Sequence, residues 1–117
     1  MSAITTHVLD TARGCPAAGV PVRLESLPAG AESAATARQT LGTAVTNSDG
    51  RVAALGPDSI EAGTYRLVFD TAAYFAATSQ TGFFPEVSLT FTVRDPEQHY
   101  HVPVLLSPFG YTTYRGS

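Results

Sequence analysis

The stretch Glu86 to Arg94, EVSLTFTVR, alternates apolar and polar residues without a break. Val87, Leu89, Phe91 and Val93 fall on one face of an extended chain, and Ser88, Thr90, Thr92 and Arg94 on the other. Successive side chains of a strand point to opposite faces, so a period of two marks a strand buried on one side only. The same period runs through GVPVRLESL, where Val20, Val22 and Leu24 oppose Arg23 and Glu25. It recurs in GTYRLVFD, where Tyr65, Leu67 and Phe69 oppose Arg66 and Val68. Turn-forming clusters separate these runs: RGCPAAG, NSDG, GPDSIEAG, RDPEQ and SPFG. Short strands at regular spacing specify an all-β chain, a β-sandwich of seven or eight strands. One segment breaks the period. In DTAAYFAATSQTG, Asp70 or Thr71 can cap a helix and Gly82 lies beyond its end, which predicts about two turns from about Thr71 to about Ser79. Pro28 to Ala37 is small and polar, and is expected to form a mobile hairpin loop.

A chain of 117 residues has the size of one domain, taken as residues 1–117, and buries roughly two-thirds of its unfolded surface. Only 15 % of the residues are charged, which fits a surface partly covered by another copy of the chain. The net charge of −3 argues against nucleic acid as a partner, since that would ask for a basic face. All seven basic residues are arginine. Lysine chemistry, as Schiff base or phosphate-loop cation, is therefore excluded, and arginine is the permanent cation available to hold an anion. Cys15 is the single cysteine; without a basic cluster around it, it reads as a bystander rather than a nucleophile. No window approaches the roughly 18 apolar residues of a membrane span. MSAITTHVLD lacks the basic and apolar regions of a signal peptide, so a soluble cytoplasmic protein is expected.

The residues able to carry chemistry are few. In EQHYHVPVLLS the strand period puts His99, His101, Pro103 and Leu105 on one face, and Tyr100, Val102, Val104 and Leu106 on the other. The second set makes the better core. Both histidines then point away from it, and Leu105 on their face suggests a surface that is covered rather than open. His7 likewise lies opposite Ile4, Thr6 and Val8. Three readings of the histidine trio stand side by side: chance placement on exposed strands, a chelating His-x-His with His7 as third ligand, and acid–base catalysis with a cation steadying the developing charge. Arg51, after the tight turn SDG, is a candidate cation, and Arg115 a second. Ser107 and Ser117 lack a G-x-S-x-G setting, and no glycine-rich phosphate cradle is present.

Four stretches together carry a resemblance: THVLDTARGCPAAGVPVRL, TNSDGR, FFPEV and HYHVPVLLSPFGYTTYRGS. Over nearly its whole length the chain resembles the transthyretin-related 5-hydroxyisourate hydrolase family, and the YRGS ending separates these hydrolases from transthyretin itself. The resemblance implies a transthyretin-like β-sandwich of two four-stranded sheets with one short helix after the fifth strand. It implies a homotetramer whose strand faces meet around a central channel holding the sites. It implies no cofactor and no metal. Carried over, the catalytic residues are His7, Arg51, His101 and Ser117, and the substrate-binding residues are His7, Arg51, Tyr114, Arg115 and Gly116. The implied reaction opens the six-membered ring of 5-hydroxyisourate by water attack on a ring carbonyl. Arg51 would keep a neighbouring imidazole neutral and stabilise the oxyanion, while His7 and His101 share water activation and protonation of the leaving nitrogen. His99 is expected at the channel rim or in a structural hydrogen bond. YTTYRGS is read as a last strand, with Tyr111, Thr113, Arg115 and Ser117 alternating against Thr112, Tyr114 and Gly116; residues added behind it are expected to abolish hydrolysis. A transthyretin-like carrier of small ligands, without catalysis, is the alternative.

Overall fold

The computed structural model describes residues 2–27 and 38–116. The expected loop from Pro28 to Ala37 and the terminal Ser117 lie outside the described residues. The elements in chain order are β1 (Ile4–Asp10), β2 (Cys15–Pro16), β3 (Pro21–Leu27), β4 (Gln39–Val45), β5 (Arg51–Val52), β6 (Gly63–Phe69), α1 (Thr71–Ala77), β7 (Val87–Val93), β8 (Tyr100–Ser107) and β9 (Gly110–Thr113).

They form two sheets. The first runs β2-β1-β8-β9, with β5 also paired to β1; the second runs β4-β3-β6-β7. The second has the four strands expected. The first has five segments, because β2 and β5 lie end to end along one edge of β1: β5 opposite Thr6 and His7, β2 opposite Leu9 and Asp10. The fourth strand position is thus filled by two dipeptides, each held by a turn. Their extra count also makes the helix follow the sixth strand rather than the fifth. β1 and β8 are parallel, pairing Ile4 with Tyr100 through to Asp10 with Leu106.

The apolar faces read from the sequence meet between the sheets. Val20, Val22, Leu24, Leu67, Phe69, Val87 and Leu89 come from the second sheet, and Ile4, Val8, Tyr100, Val102, Val104 and Leu106 from the first. Each fully buried valine, leucine or phenylalanine contributes roughly 1.5–3 kcal/mol of transfer free energy. Two residues assigned to the outer face are buried as well. Val68 lies in a cleft where Ala72 and Pro85 fold over the second sheet, and Glu25 is enclosed between Arg23 and Arg38.

Asp70 caps α1, its carboxylate accepting a hydrogen bond from the Ala73 amide at 3.0 Å. The helix ends at Ala77, two residues before the expected Ser79. Thr78 turns its hydroxyl back to the Tyr74 carbonyl at 2.9 Å, and Ser79 adopts the left-handed φ of 57° that stops a helix.

Candidate active site

The outer face of the first sheet gathers the chemistry. His101 is half-buried there and His99, just before β8, is exposed, while Tyr100, Val102, Val104 and Leu106 face the core, as the period of two requires. Parallel pairing sets Thr5 beside His101 and His7 beside Pro103. On the other edge of β1, β5 sets Arg51 directly opposite His7. Two rungs therefore cross the sheet, Arg51–His7–Pro103 and Thr5–His101–Gly116, the last pair closed by a single bridge. Directly paired antiparallel residues have Cβ atoms about 4.5–5.5 Å apart, so the Arg51 and His7 side chains stand side by side.

The turn before Arg51 is rigid for reasons visible in TNSDGR. The Asn47 side-chain oxygen accepts from the Asp49 amide at 2.9 Å and from the Arg51 amide at 3.0 Å. The Gly50 amide donates to the Asn47 carbonyl at 2.9 Å, and the Val8 amide donates to the Gly50 carbonyl at 2.7 Å. Gly50 has φ of 75°, and a Cβ on it would collide with the Val8 carbonyl oxygen, so glycine is required there. The arginine backbone is thereby fixed on the edge of β1. Its guanidinium has no carboxylate partner among the described residues.

Hydrogen bonds orient the imidazoles. His7 Nε2 lies 3.0 Å from the Asp49 carbonyl oxygen. A carbonyl only accepts, so Nε2 carries the proton and the neutral ring presents the Nδ1 lone pair. Thr5 Oγ1 lies 2.8 Å from His101 Nδ1 and 2.9 Å from His99 Nε2. His101 Nε2 has no hydrogen-bond partner among the described residues. Burial holds the His101 imidazole below its ordinary value of 6.5, and the neighbouring Arg51, His7 and His99 push it further in the same direction. Around these groups lies an open cavity of about 270 Å³ lined by Thr5, Thr6, Arg51, Val52, Ala53, His99 and His101. His7 borders Arg51 but does not line it.

The C-terminal segment reaches the site in part. Pairing of β8 with β9 runs to Val104–Thr113, lapses, and resumes in the same register at His101–Gly116. The lapse falls at Pro103, which has no N–H for the ladder; the Thr113 hydroxyl instead donates to the Pro103 carbonyl at 2.9 Å. The Gly116 amide donates to the His101 carbonyl at 2.8 Å. A Cβ on Gly116 would stand 2.7 Å from His101 Cδ2 and 3.2 Å from Pro103 Cγ, so the glycine lets the chain lie flat against the imidazole. The register places Tyr114 opposite Pro103, on the same face, where its side chain is 56 % exposed. Arg115 goes the other way. Its guanidinium carbon sits 4.6 Å above the centre of the Tyr100 ring and Nη2 donates to Gln98 Oε1 at 2.7 Å.

The structure thus brings His7, Arg51, His101, Tyr114 and Gly116 to one face, and sets Arg115 against Tyr100 within this chain. Thr5 and Asn47 were absent from the sequence reading. The period of two already puts Thr5 on the face of His7, and Asn two residues before Asp-Gly is a turn signal, so both left a trace. Among the described residues no group of three or more His, Cys, Asp or Glu side chains is placed to hold a metal ion. No helix among them is long and apolar enough to cross a membrane.

The HIUase/Transthyretin family model matches residues 4–116 of this two-sheet sandwich. The chain belongs to that family. It is 48 % identical to the 5-hydroxyisourate hydrolase of Mus musculus, over 99 % of this chain and 96 % of that protein. It is 47 % identical to the 5-hydroxyisourate hydrolase of Deinococcus radiodurans, over 97 % and 95 %. Among solved structures, the Klebsiella pneumoniae 5-hydroxyisourate hydrolase superposes with a TM-score of 0.81 at 36 % identity, covering 97 % of this chain and 98 % of that one. The transthyretin of Sparus aurata superposes with a TM-score of 0.85 at 30 % identity, covering 99 % and 97 %. The resemblance and the fold expected from the sequence are borne out. Backbone shape does not separate the hydrolase from transthyretin; the higher identities lie with the hydrolases.

Proposed function

We propose that this chain hydrolyses 5-hydroxyisourate to 2-oxo-4-hydroxy-4-carboxy-5-ureidoimidazoline in urate degradation, with no metal or cofactor. The substrate is named by the full-length likeness to proteins bearing that activity in their names. One observation carries the chemistry: a cation with no carboxylate partner among the described residues shares a cavity with a half-buried imidazole, whose pKa is lowered first by burial and then by that cation. A neutral His101 can take a proton from water through Nε2, the nitrogen that Thr5 leaves free. Arg51 faces the same cavity and would stabilise the oxyanion formed when that water adds to a ring carbonyl. His7, with its Nδ1 lone pair next to Arg51, shares the proton handling; Tyr114 and Gly116 border the substrate, and Arg115 and Ser117 belong to the same reading through the YRGS ending.

The active form in this reading is a cytoplasmic homotetramer of the single domain 1–117. Support comes from the openness of the site in one chain: Arg51 and His99 are exposed, and half-buried Leu105 lies on the same outer face. A second copy across this face would exclude water from the reacting groups and strengthen Arg51's field. The deciding measurement is the absorbance decay of freshly made 5-hydroxyisourate with wild type and Arg51→Ala side by side. Acceleration by wild type and its loss in the variant is expected; no acceleration by wild type leaves the ligand-carrier reading. Sedimentation as a 12.3 kDa species under assay conditions would overturn the assembled form.

A further inference from the structure

His99 and His101 converge on one hydroxyl. Thr5 Oγ1 is within hydrogen-bond distance of both rings, and Thr5 is itself 8 % exposed, so water does not compete freely for these contacts. A hydroxyl has one proton to give and lone pairs to receive. If it donates to His101 Nδ1, it must accept from His99 Nε2–H; if it donates to His99 Nε2, it must accept from His101 Nδ1–H. The two neutral rings are therefore locked in the same tautomer, both Nε2–H in the first case and both Nδ1–H in the second. We propose that Thr5 and His99 form a proton relay behind His101, letting the His101 imidazole act first as base and then as acid, with the charge held meanwhile at the solvent-exposed ring.

The relay presupposes the hydrolysis proposed above, and its protons balance. In the resting state Thr5 donates to His99 Nε2 and accepts from His101 Nδ1–H, leaving a lone pair on His101 Nε2. Attacking water loses a proton to that Nε2 as its oxygen bonds to the ring carbonyl carbon. The Nδ1 proton of His101 passes to Thr5 Oγ1, and the former Thr5 proton passes to His99 Nε2. His101 is neutral again, now as the Nε2–H tautomer, and the positive charge sits on His99. When the ring C–N bond breaks, His101 Nε2–H protonates the departing nitrogen, and the two relay protons return by the same path. The resting state is restored with one water consumed.

The surroundings favour this direction. Facing His101 are Arg51 from β5 and His7 from β1, both repelling a positive ring, together with its own burial. His99 is exposed to water on the approach to β8. Charge moved from the first ring to the second passes from a half-buried group to one exposed to solvent. Gly116, packed on the Cδ2 edge of His101, keeps the ring from rotating away from Thr5. Thr5 and His99 act through His101 and are positioning residues.

The test uses Thr5→Val, which keeps the shape and removes the hydroxyl, Thr5→Ser, which restores it, and the exposed His99→Asn. Thr5→Val should lower kcat at least ~10-fold, the general acid–base share that one proton path supplies at minimum, with KM little changed; Thr5→Ser should recover most of it. His99→Asn should lower kcat to a similar level, and the double variant Thr5→Val/His99→Asn should be no worse than either alone. In mixtures of light and heavy water the wild-type rate should bend with deuterium fraction, because several protons move, and become linear in Thr5→Val. Nitrogen-15 spectra should show the Nδ1–H tautomer on both His99 and His101, a readout that needs no substrate. Full activity in Thr5→Val, additive losses in the double variant, or an Nε2–H tautomer on either resting ring each overturns the relay. A wild-type chain that shows the tautomers but does not hydrolyse 5-hydroxyisourate overturns the function instead.

Discussion

Both sheets carry arginine on an outer face whose other side is core, yet the cations meet different partners. On the second sheet, Arg23 Nε lies 2.7 Å from Glu25 Oε2, Arg38 Nη1 lies 3.5 Å from Glu25 Oε1, and Arg66 Nε donates to Thr90 Oγ1 at 3.1 Å. On the first sheet, Arg51 has a histidine opposite it and no carboxylate among the described residues. A carboxylate beside a guanidinium cancels its field beyond a few ångströms. Without one, the field of Arg51 adds to burial in lowering the His101 pKa. Identical residue types thus give a structural face and a reactive one.

The largest expected effects test that contrast directly. Arg51→Ala should lower kcat ~10²–10³-fold, the usual cost of removing a group that stabilises an oxyanion. His101→Asn should lower it at least ~10²-fold, and by more than His99→Asn does. Both variants should melt close to wild type, because Arg51 is exposed and His101 only half-buried. Arg23→Ala on the opposite face should leave kcat unchanged. If calorimetry and the absorbance assay show Arg23→Ala and Arg51→Ala losing activity equally, the two faces are not distinct in function.

Gly116→Ala comes next. The added Cβ meets His101 Cδ2 at 2.7 Å and cannot be accommodated unless the imidazole or the terminal segment moves. A displaced base costs rate steeply, so kcat should fall on the order of 10-fold while the sandwich stays folded. Wild-type kcat with Ala at this position would mean that the terminal segment does not position the ring.

A smaller effect reports the field itself. In wild type the His101 pKa should lie below 6.5 by nuclear magnetic resonance, and Arg51→Ala should move it upward while leaving the part due to burial. The sign for stability follows. Below 6.5 the unfolded imidazole takes up its proton first, so the native state loses stability as pH falls from 6.5 through the lower folded value. Arg51→Ala should narrow that window. An unmoved His101 titration would show that burial alone sets it.

Much of this was legible because strand period is local. The alternation in EQHYHVPVLLS separated His99, His101 and Leu105 from the core, and that in AITTHVLD did the same for His7. What stayed hidden depends on which strand lies beside which. Thr5 meets His101 only because β1 and β8, more than ninety positions apart, pair in parallel with no local signal for their register. The register of the C-terminal segment on β8 sends Arg115 to the Tyr100 side although YRGS reads as one unit. The two-residue strands β2 and β5 are too short to show any period, so the split edge of the first sheet was invisible, and with it the pairing of Arg51 with His7.

The smallest effect on activity is expected from Glu25, and it is informative because Glu25 is the best-enclosed charge on the structural face. Its Oε2 accepts from Arg23, while Oε1 makes no hydrogen bond and is held by the nearby charge of Arg38. Both arginines are more than a third exposed or nearly so, at 41 % and 34 %, so water screens them and can solvate them if the carboxylate is removed. Glu25→Gln should therefore cost only ~1 kcal/mol, the upper range for a screened pair, or about 4 °C in Tm for a domain of this size. Its kcat on 5-hydroxyisourate should equal that of wild type, since Glu25 lines neither cavity beside His101. A Glu25→Gln enzyme that melts normally but loses activity would place Glu25 in functional contact with the site, through a partner chain or through the sandwich, and the division between a reactive and a structural face would fail.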